Sequence, residues 1–231
     1  MIACLLPRWG GFMAVLLVLA AVPAAGAQAP TDSLRIVDRP IQFGEERTRL
    51  TVEYRRIHED PAASSVHIEP RMIILHFTGN GSLESSWQYF NRTRIEAERK
   101  DVAKAGAVNV SAHFLVDRDG MVYRLLPETT MARHCIGLNH IAIGVENVGD
   151  AERFPLTDAQ VEADAALVRY LATRFPITHL IGHLEYRAME SHPYFRERDP
   201  AYRNRKVDPG PDFMRRVRAR LSDLHLKGPP S

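Results

Sequence analysis

MIILHF, residues 72–77, sets five apolar residues, two of them β-branched, around a single imidazole, His76. With no polar alternation, it reads as a strand covered on both faces, the kind a parallel sheet contains. IAIGVENV (141–148) has the same character, and THLIGHL (178–184) returns as a third strand. Between them SAHFLVDRDGMVYRLL, residues 111–126, forms a hairpin turned around Asp119-Gly120. Thr157-Asp158-Ala159-Gln160 is a capping box, with Leu156 and Val161 placed as a hydrophobic staple, so a helix is expected from 158 to about 174. Two more helices are expected over 83–91 and 93–105, with Gly106 as a stop. Pro211 starts a last helix whose Met214, Val217, Leu221 and Leu224 share a face. RTRLTVEYRRIH, residues 47–58, alternates in part and reads as an early strand. Strands and helices in this succession give an α/β fold: one domain, with a central mixed sheet flanked by helices.

The N-terminus carries a different message. Arg8 is the only charge in the first 27 residues; the apolar run GFMAVLLVLAAV follows, and Ala25-Gly26-Ala27 offers a cleavage site. Residues 1–27 therefore read as a secretory signal peptide, with an uncleaved anchor as the alternative. Its apolar core is short for a membrane span, and none is expected after cleavage. The destination is outside the cytoplasm, periplasmic or extracellular. The remaining 204 residues carry 29 basic and 28 acidic side chains, a net charge near +1 that suggests no nucleic-acid partner. Cys135 is their only cysteine, so no internal disulfide can brace an exported domain.

Three ionisable residues, His76, Glu146 and His183, stand at or near the ends of the apolar strands. Burying such a group unpaired is costly. Any one alone could be a hydrogen-bonded core residue, but two histidines and a carboxylate make a common catalytic zinc set. RKVDPGPDF, residues 205–213, adds Lys206 and Asp208 just before a Pro-Gly-Pro turn. Pro209 biases Asp208 to extended backbone, where side chains two apart project to the same side. Lys206 and a metal-bound Asp208 can then face one cleft.

MIILHFT, NVSAHFLVDRDGMVYRLLPE, ARHCIGLNHIAIGVENVG, LIGHLEY and RKVDPGPDF occur in the order seen in type-2 N-acetylmuramoyl-L-alanine amidases, which the chain resembles from about residue 68 to 215. Peptidoglycan recognition proteins and phage amidases share that fold. The resemblance implies one Zn²⁺ per chain, bound by His76, His183 and Asp208 in a cleft at the sheet edge. It makes Glu146 the proton carrier and Lys206 the donor to the oxyanion. His134 and Asn139 match family positions at the substrate pocket. The substrate implied is peptidoglycan or a muropeptide, cut between N-acetylmuramic acid and L-alanine. Residues 68–226 are then the zinc amidase domain, after a leader and early strand over 28–67 and before a tail, 227–231.

Two departures stand out. Some relatives carry tyrosine immediately before the hairpin histidine and lack the later glutamate; here Ala112 precedes His113 and Glu146 is present, as in the glutamate-using branch. The stretch between His183 and Asp208 is long and contains His192 and Asp199 as rival ligands. His113 reads as structural; His58, His67, His140, His179 and His225 read as surface or packing residues. Cys135 is a weak nucleophile candidate, and Arg215, Arg216, Arg218 and Arg220 make a basic helix face. Two other functions compete: a peptidoglycan-binding module that does not cut, and a zinc hydrolase of another kind, for which the H-E-x-x-H helix is absent.

Overall fold

Six strands make one sheet in the order β1-β4-β3-β5-β2-β6 in the computed structural model, which describes Met1 and residues 34–230. The expected signal peptide lies outside the described residues. β2 (Met72–Phe77) is central and runs parallel to both β5 (Ala142–Asn147) and β6 (His179–Gly182). β3 (Phe114–Val116) runs parallel to β5 and closes the expected hairpin with β4 (Val122–Arg124). β1 (Ile36–Asp38) adds a parallel edge beside β4. The sheet is therefore mixed, as expected.

Strand alternation divides the interior. Ile73 and Leu75 of β2, with Ile143 and Val145 of β5, face α4 (Asp158–Arg174) and α5 (Pro211–Arg220). Met72 and Ile74, with Ala142 of β5 and Ile181 of β6, face the other way, onto α1 (Glu45–His58). Met72 through Leu75 are wholly buried, and covering each such side chain is worth about 1.5–3 kcal/mol. α4 begins with the predicted capping box. In α5, Met214 and Val217 are buried, and Leu221, just past its end, is buried with them.

The early strand is instead α1. Arg47, Leu50, Thr51, Tyr54 and His58 recur at helical spacing and are buried on one side. Glu45 and Glu46 open the helix while Arg55, Arg56 and His58 close it, each matched to the helix dipole. The partial alternation at 50, 52 and 54 concealed that period. α2 (Leu83–Asn91) forms as expected, capped by Ser82. The 93–105 helix shrinks to α3 (Lys100–Ala103), because residues 93–95 pair with 107–109 instead. β6 ends at Gly182, and His183 opens a 3₁₀ turn over His183–Met189. The supposed tail is tied down at its start: Lys227 exchanges backbone hydrogen bonds with Thr178 and Leu180. No helix among the described residues is long and apolar enough to cross a membrane.

Candidate metal centre and its cleft

Register brings the site together. His76 is the direct partner of Glu146 across β2 and β5, and parity puts both on the α1 face. Both lie near the carboxyl ends of parallel strands, where α/β sheets place their ligands. His183 follows the neighbouring end of β6, and the loop before α5 delivers Asp208.

Three atoms converge there. His76 Nδ1 stands 2.9 Å from His183 Nδ1 and 3.2 Å from Asp208 Oδ2, and His183 Nδ1 is 2.9 Å from the same oxygen. All three residues are buried. Among the described residues they are the only group of three or more His, Cys, Asp or Glu side chains gathered closely enough to share an ion. The point equidistant from the three atoms lies about 1.7 Å from each, a spacing that suits a single ion with zinc bond lengths of roughly 2.0–2.1 Å.

Protonation fits a cation too. The Ala142 carbonyl can only accept, so His134 Nε2, 3.2 Å away, carries a hydrogen. His134 is buried and its pKa lies well below the usual imidazole value, through desolvation and then His76 and His113, so it is neutral and its Nδ1 accepts. His76 Nε2, at 3.0 Å, is then the donor, which makes Nδ1 the nitrogen that His76 offers to an ion at the triad. Burial and the adjacent His76 push His183 down to about 3, leaving it neutral as well. Burial alone would raise the Asp208 pKa, but contacts with His183 and His76 hold it below its ordinary value. Two imidazole nitrogens and one carboxylate oxygen make a donor set of the kind a dication takes.

Other sequence-singled residues fall into place around this centre. Glu146 borders the cleft; desolvation, reinforced by Asp208 and opposed by His76 and Lys206, raises its pKa to about 7, and its Oε2 has no partner. Lys206 and Asp208 line the same cavity of about 400 Å³, and Lys206 makes no side-chain hydrogen bond or ion pair among the described residues. Asn139 is only 1% exposed; its Oδ1 accepts from the His134 and Cys135 amides, so it braces the loop that carries His134. Gly144 lets the His134 ring lie against β5, since a Cβ there would come within 2.7 Å of it. His113 accepts from the Gly144 amide and donates to the Thr130 carbonyl, a structural role. His192 packs on His179 and Tyr194, and Asp199 accepts from the Ala201 amide, so neither rival ligand joins the triad. His58 is buried, joining Glu197 and the Ala105 carbonyl. Burial raises the Cys135 thiol well above its ordinary pKa, which removes it as a nucleophile. Every arginine of the α5 face has an acidic partner.

Sequence reading missed Tyr89, Glu96, Arg99 and Arg133, which line the same cleft. Glu96 and Arg99 lie in the segment expected to be a regular helix, and nothing in their local pattern points to a pocket.

The profile of the N-acetylmuramoyl-L-alanine amidase family matches residues 67–211, more than half of the chain. No curated protein matches. Among solved structures, the endolysin N-acetylmuramoyl-L-alanine amidase LysCS from Clostridium intestinale URNW is 22% identical, with 85% of this chain and 99% of that one aligned at a TM-score of 0.51. AmpD aligns at 23% identity over 82% and 94% of the two chains with a TM-score of 0.49. Drosophila peptidoglycan recognition protein SA gives 20%, 56% and 83%, and 0.40. With the family profile spanning the strands that carry His76 and Glu146, the turn after β6 that carries His183 and the loop that carries Asp208, this chain belongs to the N-acetylmuramoyl-L-alanine amidase family.

Proposed function

We propose that the protein is an exported, zinc-dependent amidase that hydrolyses the bond between N-acetylmuramic acid and L-alanine in peptidoglycan or muropeptides. The observation that carries this reading is the buried His76–His183–Asp208 triad, whose His183 and Asp208 line the same cleft as Glu146 and Lys206. A binding module has no need of a carboxyl and an unpaired ammonium lining one cleft with a metal-ligand triad. The bulk of the chain's family assignment supports the same substrate.

His76, His183 and Asp208 would hold the zinc. When bound, the ion supplies Lewis acidity, lowering the pKa of a water to about 7 and polarising the scissile carbonyl. Glu146, a carboxyl on the cleft wall with one oxygen free of any partner, takes the proton of the attacking water. It then returns that proton to the departing alanine nitrogen. Lys206 donates to the carbonyl oxygen as negative charge develops there, and losing such a donor typically costs ~10²–10³ in rate. His134 fixes the orientation and tautomer of His76. The start of the chain supports export, with its short apolar run and small-residue cleavage site.

The test is to incubate the zinc-loaded protein with a defined muropeptide and weigh the products. Hydrolysis at the proposed bond gives a free lactyl carboxylate on the sugar and a peptide starting at L-alanine. A zinc-loaded protein that binds the muropeptide and leaves it intact would establish the binding-module alternative instead.

A further inference from the structure

The cleft has a cationic wall. Arg99 is partly exposed on it, and its guanidinium is fixed from one end only, by donation to the Tyr89 hydroxyl at 2.6 Å. Tyr89 donates in turn to Glu96 Oε1 at 3.0 Å. That engages one of five guanidinium N–H groups. No carboxylate lies within 4.0 Å of Arg99 among the described residues, in contrast to the surface arginines of α5. Arg133 lines the same wall; it is 4% exposed, and its terminal nitrogens donate to the Val102, Gly106 and Val108 carbonyls and to Tyr202, again with no carboxylate in reach. With Lys206, three cations border the cavity without an acidic partner.

A guanidinium fixed at one end and open along its remaining edge is shaped to receive a carboxylate in a two-pronged pair. Arg133 is buried without a counter-charge, which strengthens the local demand for an anion. The cavity, about 400 Å³, is of a size that encloses a small ligand, so the groups it reaches are those close to the cleaved bond. We infer that Arg99 is a specificity residue that binds the first free carboxylate of the stem peptide beyond the alanine, with Tyr89 and Glu96 as the positioning residues behind it. This rests on the amidase reading. It implies selection by amidation state: converting that carboxylate to a carboxamide removes its charge and turns one acceptor into an NH₂ facing N–H donors.

The experiment uses two muropeptides that differ only in whether the carboxylate of the second stem residue is free or amidated. Binding is measured by calorimetry, and kcat/KM by product mass, on the zinc-loaded protein. The free form is expected to be favoured about 10–100-fold, the range of a charge-assisted pair, chiefly through KM. Arg99→Ala should bring the ratio near one by weakening the free form alone, and Arg99→Lys should restore part of it. Equal handling of both compounds by the parent protein, or an undiminished ratio in Arg99→Ala, overturns the assignment while leaving the amidase reading intact. If neither compound is cut but the free form still binds more tightly through Arg99, the assignment stands and the amidase reading falls.

Discussion

Replacing His134 with phenylalanine should weaken the metal site without touching a ligand. His134 Nδ1 is the acceptor for His76 Nε2 at 3.0 Å, and its own Nε2 is anchored on the Ala142 carbonyl at 3.2 Å. Phenylalanine keeps a flat ring beside Gly144 but provides no acceptor. His76 is then free to rotate or to place its proton on Nδ1, the atom that faces His183 and Asp208. Removing an outer partner of a metal-bound histidine typically costs 10–100-fold in affinity, about 1.4–2.7 kcal/mol. The orphaned, buried N–H of His76 should also lower the stability of the metal-free protein by about 1–3 kcal/mol. A competition titration with a chromophoric chelator gives the zinc Kd, and urea unfolding of the metal-free form gives the second quantity. His134→Gln, which keeps an acceptor, should recover part of the affinity. A zinc Kd unchanged in His134→Phe would show that His134 does not set the tautomer of His76, and the proton assignments of the centre would fall with it.

Lys206→Ala should keep its zinc and lose ~10²–10³ in kcat, read by single-turnover hydrolysis; parental turnover would remove Lys206 from the oxyanion role. Glu146→Gln should also stay folded and zinc-loaded while turnover drops by roughly 10²–10⁴, and undiminished hydrolysis would reject it as the proton carrier. Asp164 is fully buried under β5, accepts from Asn147 at 2.9 Å, and has its pKa raised by desolvation to about 7. Between pH 4 and 7 the folded state thus holds a proton that the unfolded chain has released, so stability falls as pH rises through that window. Asp164→Asn should flatten this dependence, removing roughly 1–4 kcal/mol of variation in urea unfolding between those limits; an unchanged pH slope would contradict it.

Much of the centre was legible because its chemistry sits on strong patterns. An imidazole near the end of an otherwise apolar strand, a second just past the end of another, and a carboxylate fixed before proline are conspicuous against what surrounds them. Period-two alternation even sets His76 and Glu146 on one face, once the strands pair in register. What escaped lay where local pattern and tertiary contact disagree. α1 buries Arg47 and His58 along with Leu50 and Tyr54, so its inner face does not look apolar in sequence. Residues 93–99 have ordinary helical composition, but 93–95 pair with 107–109, a preference that only the folded chain reveals. The same excursion hid Glu96 and Arg99. His134 drew notice as a pocket residue, but its hold on His76 spans 58 positions and no local signal encodes it.

The central claim is that one zinc ion, gripped by His76, His183 and Asp208, is required for amide hydrolysis. Its most direct measurement is zinc content by elemental analysis alongside muropeptide hydrolysis, on the same preparations of the parent and Asp208→Ala proteins. One zinc per chain with full activity in the parent, and loss of both in the variant, is the predicted result. A fully active protein without zinc, or an Asp208→Ala variant that keeps its zinc and its rate, would contradict it.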